Sequence, residues 1–210
     1  HTLLKPEATS AQIRDLCTEA RSHHFATVCI NPSYVSLAAA QLAHSRVGVC
    51  AVVGFPLGAN HPEVKRAEAH RAILDGASEL DMVVAIGRLK AGDFTYVRED
   101  IAAVVQAAQG RLVKVILETV LLEPQELELG CRIAKEAGAG FVKTSTGFGP
   151  GGATVEAVAL MQRVVGEGMG VKASGGIRDV ATAQRLIEAG ASRLGTSASL
   201  ALLAAWEEPL

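Results

Sequence analysis

Short apolar runs alternate along the chain with longer stretches whose apolar residues recur every three or four positions. Residues 2–4 read as the remnant of a first strand, stopped by Pro6. Thr9 or Ser10 is then placed to cap a helix with Ile13, Leu16, Cys17 and Ala20 on one face. Thr27–Ile30 is a second strand, and Asn31-Pro32 opens a helix to about residue 43. A third strand over 47–53 ends at Gly54-Phe55-Pro56-Leu57-Gly58, and a polar-faced helix follows to the stop signal Gly76. Strands over 79–85 and 113–117 each precede a helix, over 94–108 and 124–137. Two strands carrying Lys143 and Lys172 come next, with a helix near Val155–Val165 between them. Asp179 caps a helix to Ala189, and residues 193–197 make the eighth strand and its turn. Eight such units without a linker predict one α/β domain over 1–210, a closed (β/α)8 TIM barrel. An open doubly wound sheet is the alternative, since periodicity does not show closure.

Composition narrows the function classes. The 210 residues, 49% hydrophobic, can bury a substantial core. A net charge of −2 and no basic run speak against nucleic acid as the main partner. No apolar run approaches the roughly 18 residues of a membrane span, and no secretory leader is visible. The chain opens on His1 inside an apolar stretch, so further residues are expected upstream. Four cysteines lack CxxC spacing, which fits a reducing compartment, by default the cytoplasm. The six histidines offer no third ligand at suitable spacing, so no metal is expected.

In a barrel, chemistry gathers at the carboxyl ends of the strands, and Asp81, Glu118, Lys143, Lys172 and Ser197 all fall late in a strand or just after it. In the run Phe141-Val142-Lys143-Thr144-Ser145-Thr146-Gly147, burial disfavours the ammonium and favours the neutral amine that attacks carbonyls. Val171-Lys172-Ala173-Ser174-Gly175-Gly176 repeats the pattern. If the strands are neighbours, two ammonium groups at about 6 Å and an effective dielectric of about 20 repel by roughly 2–3 kcal/mol. That is about two pKa units, enough for one lysine to be a neutral nucleophile while the other stays a charged proton donor. Asp81, flanked by Leu80 and Met82, is either a structural anchor or the proton shuttle between them. Lys114 sits early in its strand and is expected to face the far end in a structural role.

Gly175-Gly176-Ile177-Arg178 and Gly195-Thr196-Ser197 follow the seventh and eighth strands, where barrels commonly hold phosphate; tight turns are the plainer reading. Gly147 to Gly152 matches G-x-G-x-x-G but comes sixth of eight units and contains Pro150, so it reads as a glycine turn rather than a dinucleotide loop. Cys29 is either a nucleophile near the mouth or core filling.

Together, His1-Thr2-Leu3-Leu4-Lys5-Pro6, Cys29-Ile30-Asn31-Pro32, Gly54-Phe55-Pro56-Leu57-Gly58, Lys143-Thr144-Ser145-Thr146-Gly147, Lys172-Ala173-Ser174-Gly175-Gly176 and Gly195-Thr196-Ser197 resemble the deoxyribose-phosphate aldolase family across essentially the whole chain. The resemblance implies a class I aldolase that reversibly cleaves 2-deoxy-D-ribose 5-phosphate to D-glyceraldehyde 3-phosphate and acetaldehyde. It would work through a covalent lysine imine with no metal or other cofactor. Lys143 would form the imine, Lys172 would tune it and move protons, and Asp81 would be the acid–base carboxylate. Gly147, Gly175, Gly176, Gly195 and Ser197 match the phosphate loops, and Thr146 and Cys29 are expected to line the substrate. The partners implied are the phosphorylated sugar and acetaldehyde, in a homodimer or homotetramer. The chain departs from some members at Phe148, where they carry a lysine, and in ending Trp206-Glu207-Glu208-Pro209-Leu210, where they carry a tyrosine. Two other readings compete: a phosphate-binding barrel using lysine only as a base, and a catalytically silent sugar-phosphate binding module.

Overall fold

The computed structural model describes residues 1–207; the last three residues of the expected domain, and with them the end of the C-terminal tail, lie outside the described residues. Eight strands run in chain order and each pairs in parallel with the next: β1 (Thr2–Leu3), β2 (Thr27–Ile30), β3 (Gly48–Val53), β4 (Glu79–Val83), β5 (Leu112–Ile116), β6 (Phe141–Lys143), β7 (Gly170–Ser174) and β8 (Arg193–Gly195). The helices that cover them are α1 (Ser10–Ser22), α2 (Val35–Gln41), α3 (Pro62–Leu74), α4 (Ile86–Lys90), α5 (Phe94–Ala107), α6 (Pro124–Glu136), α7 (Val155–Val165), α8 (Val180–Glu188) and α9 (Ser199–Glu207). The doubly wound alternative is set aside, because strand order follows chain order throughout. β1 and β8, two and three residues long, border a common cavity at the seam of the barrel.

Local sequence explains most boundaries. Thr9 accepts from the Gln12 N–H and Gln12 returns the bond to the Thr9 N–H, a complete capping box at α1. The side chains of Asp93, Thr154 and Asp179 each accept a backbone N–H at the start of α5, α7 and α8, without the reciprocal bond. α4 was not foreseen; its N-cap Ala85 makes no side-chain cap bond, so its start carries no sequence signal.

Alternation along each strand divides the side chains into two populations. Outward residues such as Val28, Ile30, Val49, Val53, Leu80, Met82, Val113 and Val115 pack with the helix stripes, including Ile13 and Ala20, in the main apolar core. Each fully buried aliphatic side chain there contributes about 1.5–3 kcal/mol. Inward residues are different in kind: Leu4, Cys29, Cys50 and Val52 form a small apolar patch. Further inward positions carry charge: Asp81, Lys114, Lys143 and Lys172. Between the layers, Lys65 of α3 is buried against Asp100 of α5 at 2.5 Å and donates to the Val83 carbonyl at 2.9 Å, fixing the end of β4.

Candidate active site

Strand register alone assembles the charged cluster. Lys143 is the register partner of Lys172, and Asp81 that of Lys114. Register partners on neighbouring parallel strands leave the sheet on the same side, so all four side chains enter the barrel interior. There Asp81 accepts from three lysines: Lys143 Nζ at 2.8 Å and Lys172 Nζ at 2.7 Å on Oδ2, and Lys114 Nζ at 2.9 Å on Oδ1. Asp81, with no solvent exposure, would be raised by burial, but Lys143, Lys172 and Lys114 outweigh that and hold its carboxyl well below the usual carboxylate range. Burial likewise pulls Lys172 down, yet Asp81, Cys29 and Cys50 prevail and its ammonium is held above the ordinary lysine value.

Two sequence expectations change here. Lys114 does not face the far end away from the cluster. It lies one layer below the mouth and reaches Asp81 on one side and Glu79, at 2.6 Å, on the other. Aligning Glu79-Leu80-Asp81 with Leu112-Val113-Lys114 would have shown this, since the two strands pair in that register. The repulsion between Lys143 and Lys172 is also not bare, because the Asp81 carboxylate lies between them. The wider cluster adds Arg193, 3.2 Å from Glu79. Four cations therefore face two carboxylates, which leaves the cluster with an excess of positive charge; Lys114 pulls the Lys172 ammonium down, although Asp81, Cys29 and Cys50 outweigh it.

Above this cluster a cavity of about 380 Å³ is lined by Lys143, Thr146, Gly147, Gly175, Gly176, Arg178, Gly195 and Ser197 among others. The structure thus brings the glycine loops and Lys143 into one space. Two of the glycines are dictated by close approach. A Cβ on Gly152 would lie 2.2 Å from the Gly175 carbonyl oxygen, which accepts from the Ala153 N–H at 3.0 Å. A Cβ on Gly195 would lie 2.9 Å from Cε of Lys172. Lys172, Asp81 and Cys29 do not line this cavity. Cys29 sits lower on β2 and, with Lys172, borders the seam cavity of about 330 Å³. Burial, Asp81 and above all a hydrogen bond with Cys50 act on its thiol, the last drawing it down to about 6 while Cys50 is pushed up.

Glu118 was only a candidate by position. It sits in the left-handed region (φ 54°, ψ 62°) right after β5 and is almost fully buried. Its Oε2 accepts from the Thr146 N–H at 3.1 Å and from the Thr146 hydroxyl. Thr146 Oγ1 in turn accepts from the Phe148 N–H at 3.0 Å. The Thr144 hydroxyl donates to the Ser174 carbonyl at 2.9 Å and accepts from its N–H at 3.0 Å, joining the ends of β6 and β7. The lysine loop is thereby held at both ends, a role no local motif announces.

A model of the DeoC/LacD family aldolases matches residues 1–208. A curated deoxyribose-phosphate aldolase of Brevibacillus brevis is 57% identical over 97% of this chain and 92% of its own length. That of Bdellovibrio bacteriovorus is 58% identical with the same coverage. Among solved structures, the tetrameric deoxyribose phosphate aldolase of Aeropyrum pernix superposes with a TM-score of 0.92 at 36% identity, covering 99% of this chain and 88% of the other.

Proposed function

The chain belongs to the DeoC/LacD family of aldolases, and on that footing we propose that it reversibly cleaves 2-deoxy-D-ribose 5-phosphate to D-glyceraldehyde 3-phosphate and acetaldehyde. The observation that supports this most directly is the Asp81 carboxylate held between two lysine Nζ atoms, 2.8 Å from Lys143 and 2.7 Å from Lys172.

Lys143 is the imine-forming residue in this reading, since it alone of the three lysines lines the cavity that also holds the glycine loops. Its neutral amine adds to C1 of the open-chain sugar, and loss of water gives an iminium. A base removes the C3 hydroxyl proton, the C2–C3 bond breaks, and its electron pair moves onto the iminium. Glyceraldehyde 3-phosphate leaves, and an enamine of acetaldehyde remains on Lys143. Protonation at C2 and addition of water release acetaldehyde and restore the amine. Asp81 and Lys172 share these transfers through their 2.7 Å contact, Asp81 accepting and Lys172 returning the proton. Gly147, Gly175, Gly176, Gly195 and Ser197 offer backbone N–H groups and a hydroxyl to the phosphate, and the exposed Arg178 adds charge beside them. Thr146 also lines this pocket. No step in this scheme calls for a metal or an organic cofactor.

The same proposal places the chain in the cytoplasm as a homodimer or homotetramer, supported by four free buried thiols and by the tetrameric Aeropyrum pernix relative. No helix among the described residues is long and apolar enough to cross a membrane.

Lys143→Leu tests the central assignment. The variant should fold and leave deoxyribose-phosphate cleavage near background. Borohydride added with substrate should fix mass on Lys143 in the parent and nothing in the variant. Turnover near the parent's, or an adduct on another lysine, would overturn it.

A further inference from the structure

The helix α3 reaches the strand ends beside the mouth, and it does so with charged side chains. Lys65 and Glu68, three residues apart, lie on one face of it. The last register pair of β3 and β4 is Val53 with Met82, and β3 then turns away at Gly54, whose φ is 61°. Each freed strand end finds a partner on α3: Glu68 accepts from the Gly54 N–H at 2.6 Å, and Lys65 donates to the Val83 carbonyl at 2.9 Å. Lys65 has no solvent exposure, and neither has Asp100 of α5, its ion-pair partner at 2.5 Å. A Cβ on Gly54 would stand 2.8 Å from Lys65 Cε, so the chain folds directly over the lysine stem. Val83 follows Asp81 by two residues on the same inward row, about 6–7 Å further along the strand. We propose that Lys65 is a positioning residue for the aldol chemistry: its bond to the Val83 carbonyl fixes the depth at which Asp81 meets Lys143 and Lys172.

That depth matters because one oxygen serves both lysines. Asp81 Oδ2 stands 2.8 Å from Lys143 Nζ and 2.7 Å from Lys172 Nζ, so a slide of β4 lengthens these contacts unequally. Misplacement by about 1 Å can cost a catalytic step about a hundredfold. Inside the barrel the lysines hold the carboxylate; outside it, Lys65 holds the backbone two residues on. An apolar side chain at position 65 could fill the same space but could not hold that carbonyl. Stability does not account for the charge either, since a buried ion pair replaced whole by packed apolar residues commonly loses little. Lys65 lines neither the sugar cavity nor the seam cavity, so its route to the chemistry is β4 itself.

The inference rests on the aldolase reading, and its test is a split between kcat, KM and melting temperature. Lys65→Met/Asp100→Leu removes both charges and the donor together. Its kcat for deoxyribose-phosphate cleavage should fall about ten- to hundredfold, with KM within about twofold of the parent's. Asp100→Asn leaves Lys65 to donate to Val83 but takes away its countercharge. It should melt below the apolar double variant and yet keep the larger part of kcat. Should the apolar double variant not fold, Lys65→Gln/Asp100→Asn, whose amide ends one bond short of the lysine nitrogen, should show the same loss of kcat. Parent-like kcat without the lysine donor, a KM that rises in place of a falling kcat, or a kcat that follows melting temperature across the set would each overturn the proposal. A parent that turns over beside an unaffected variant fails this inference alone. A parent that traps no imine on Lys143 fails the aldolase reading and takes the inference with it.

Discussion

Lys114→Met changes the charge of the cluster without altering the mouth. Lys114 is fully buried and contacts Asp81 at 2.9 Å and Glu79 at 2.6 Å, but lines neither the sugar cavity nor the seam cavity. Burial pulls its ammonium down, yet Cys50, Asp81 and Glu79 outweigh that and hold it above the usual lysine range, so it stays charged. Its charge repels the two lysines above it. At roughly 6 Å and an effective dielectric of about 20, each ammonium pair costs about 2–3 kcal/mol. Methionine keeps the length and apolar stem while reducing the cationic excess from two charges to one. Lys172, which the Lys114 charge pulls down, then holds its proton more tightly, and Asp81 is shared among fewer cations, which acts in the same direction. The acid limb of kcat/KM, which reports the free enzyme, should therefore move to higher pH by about one to two units. The plateau should change less. Some stability is lost as well, less than the 3–5 kcal/mol of a fully broken buried pair, because Asp81 retains Lys143 and Lys172 and Glu79 retains Arg193. A folded Lys114→Met whose acid limb coincides with the parent's would refute the charge-excess account.

Asp81 carries a stability prediction with a definite sign. Its folded pKa lies well below its ordinary value of 3.8, so its contribution is present above that value and lost as pH falls through the folded pKa. Asp81→Asn should be less stable than the parent in denaturant at neutral pH, and the gap should narrow in acid; a gap that widens there would contradict the reading. Glu118→Ala removes the acceptor of both Thr146 bonds. One charge-assisted bond of about 1.5–3 kcal/mol corresponds to a rise of roughly ten- to hundredfold in KM for the phosphorylated sugar. Steady-state kinetics should show kcat falling less, and Glu118→Gln, which keeps one acceptor oxygen, should recover part of the loss. An unchanged KM in Glu118→Ala would remove Glu118 from the anchoring of the loop.

The strand and helix order was legible in the sequence from the alternation of apolar runs and amphipathic stretches, and charges such as Asp81, Lys114 and Lys143 stand out because they interrupt those runs. Leu80-Asp81-Met82 and Val142-Lys143-Thr144 could be located, and placed at one mouth, by parity alone. What parity does not provide is depth. Lys114 and Asp81 share an inward face, but whether Lys114 lies at, above or below the mouth depends on the stagger between β4 and β5, which no single strand encodes. Cys29 and Cys50 each read as a small apolar residue in its own strand; only the pairing of β2 with β3 makes them neighbours. Glu118 could be placed at the mouth by position, but its role as the anchor of Thr146 could not, because a left-handed backbone at a residue other than glycine leaves no mark in composition. The helix caps at Thr9 and Asp179, by contrast, were visible because their partners lie three residues away.

Gly195 ties two tasks to a single hydrogen atom. Its missing side chain is the space through which Lys172 passes, and the same residue opens the loop expected to receive the phosphate. Even alanine at this position would press on the ammonium arm and tilt the anion cradle together. Tuning of substrate grip and of proton delivery is thus mechanically linked at that point of β8, and the two cannot be adjusted one at a time.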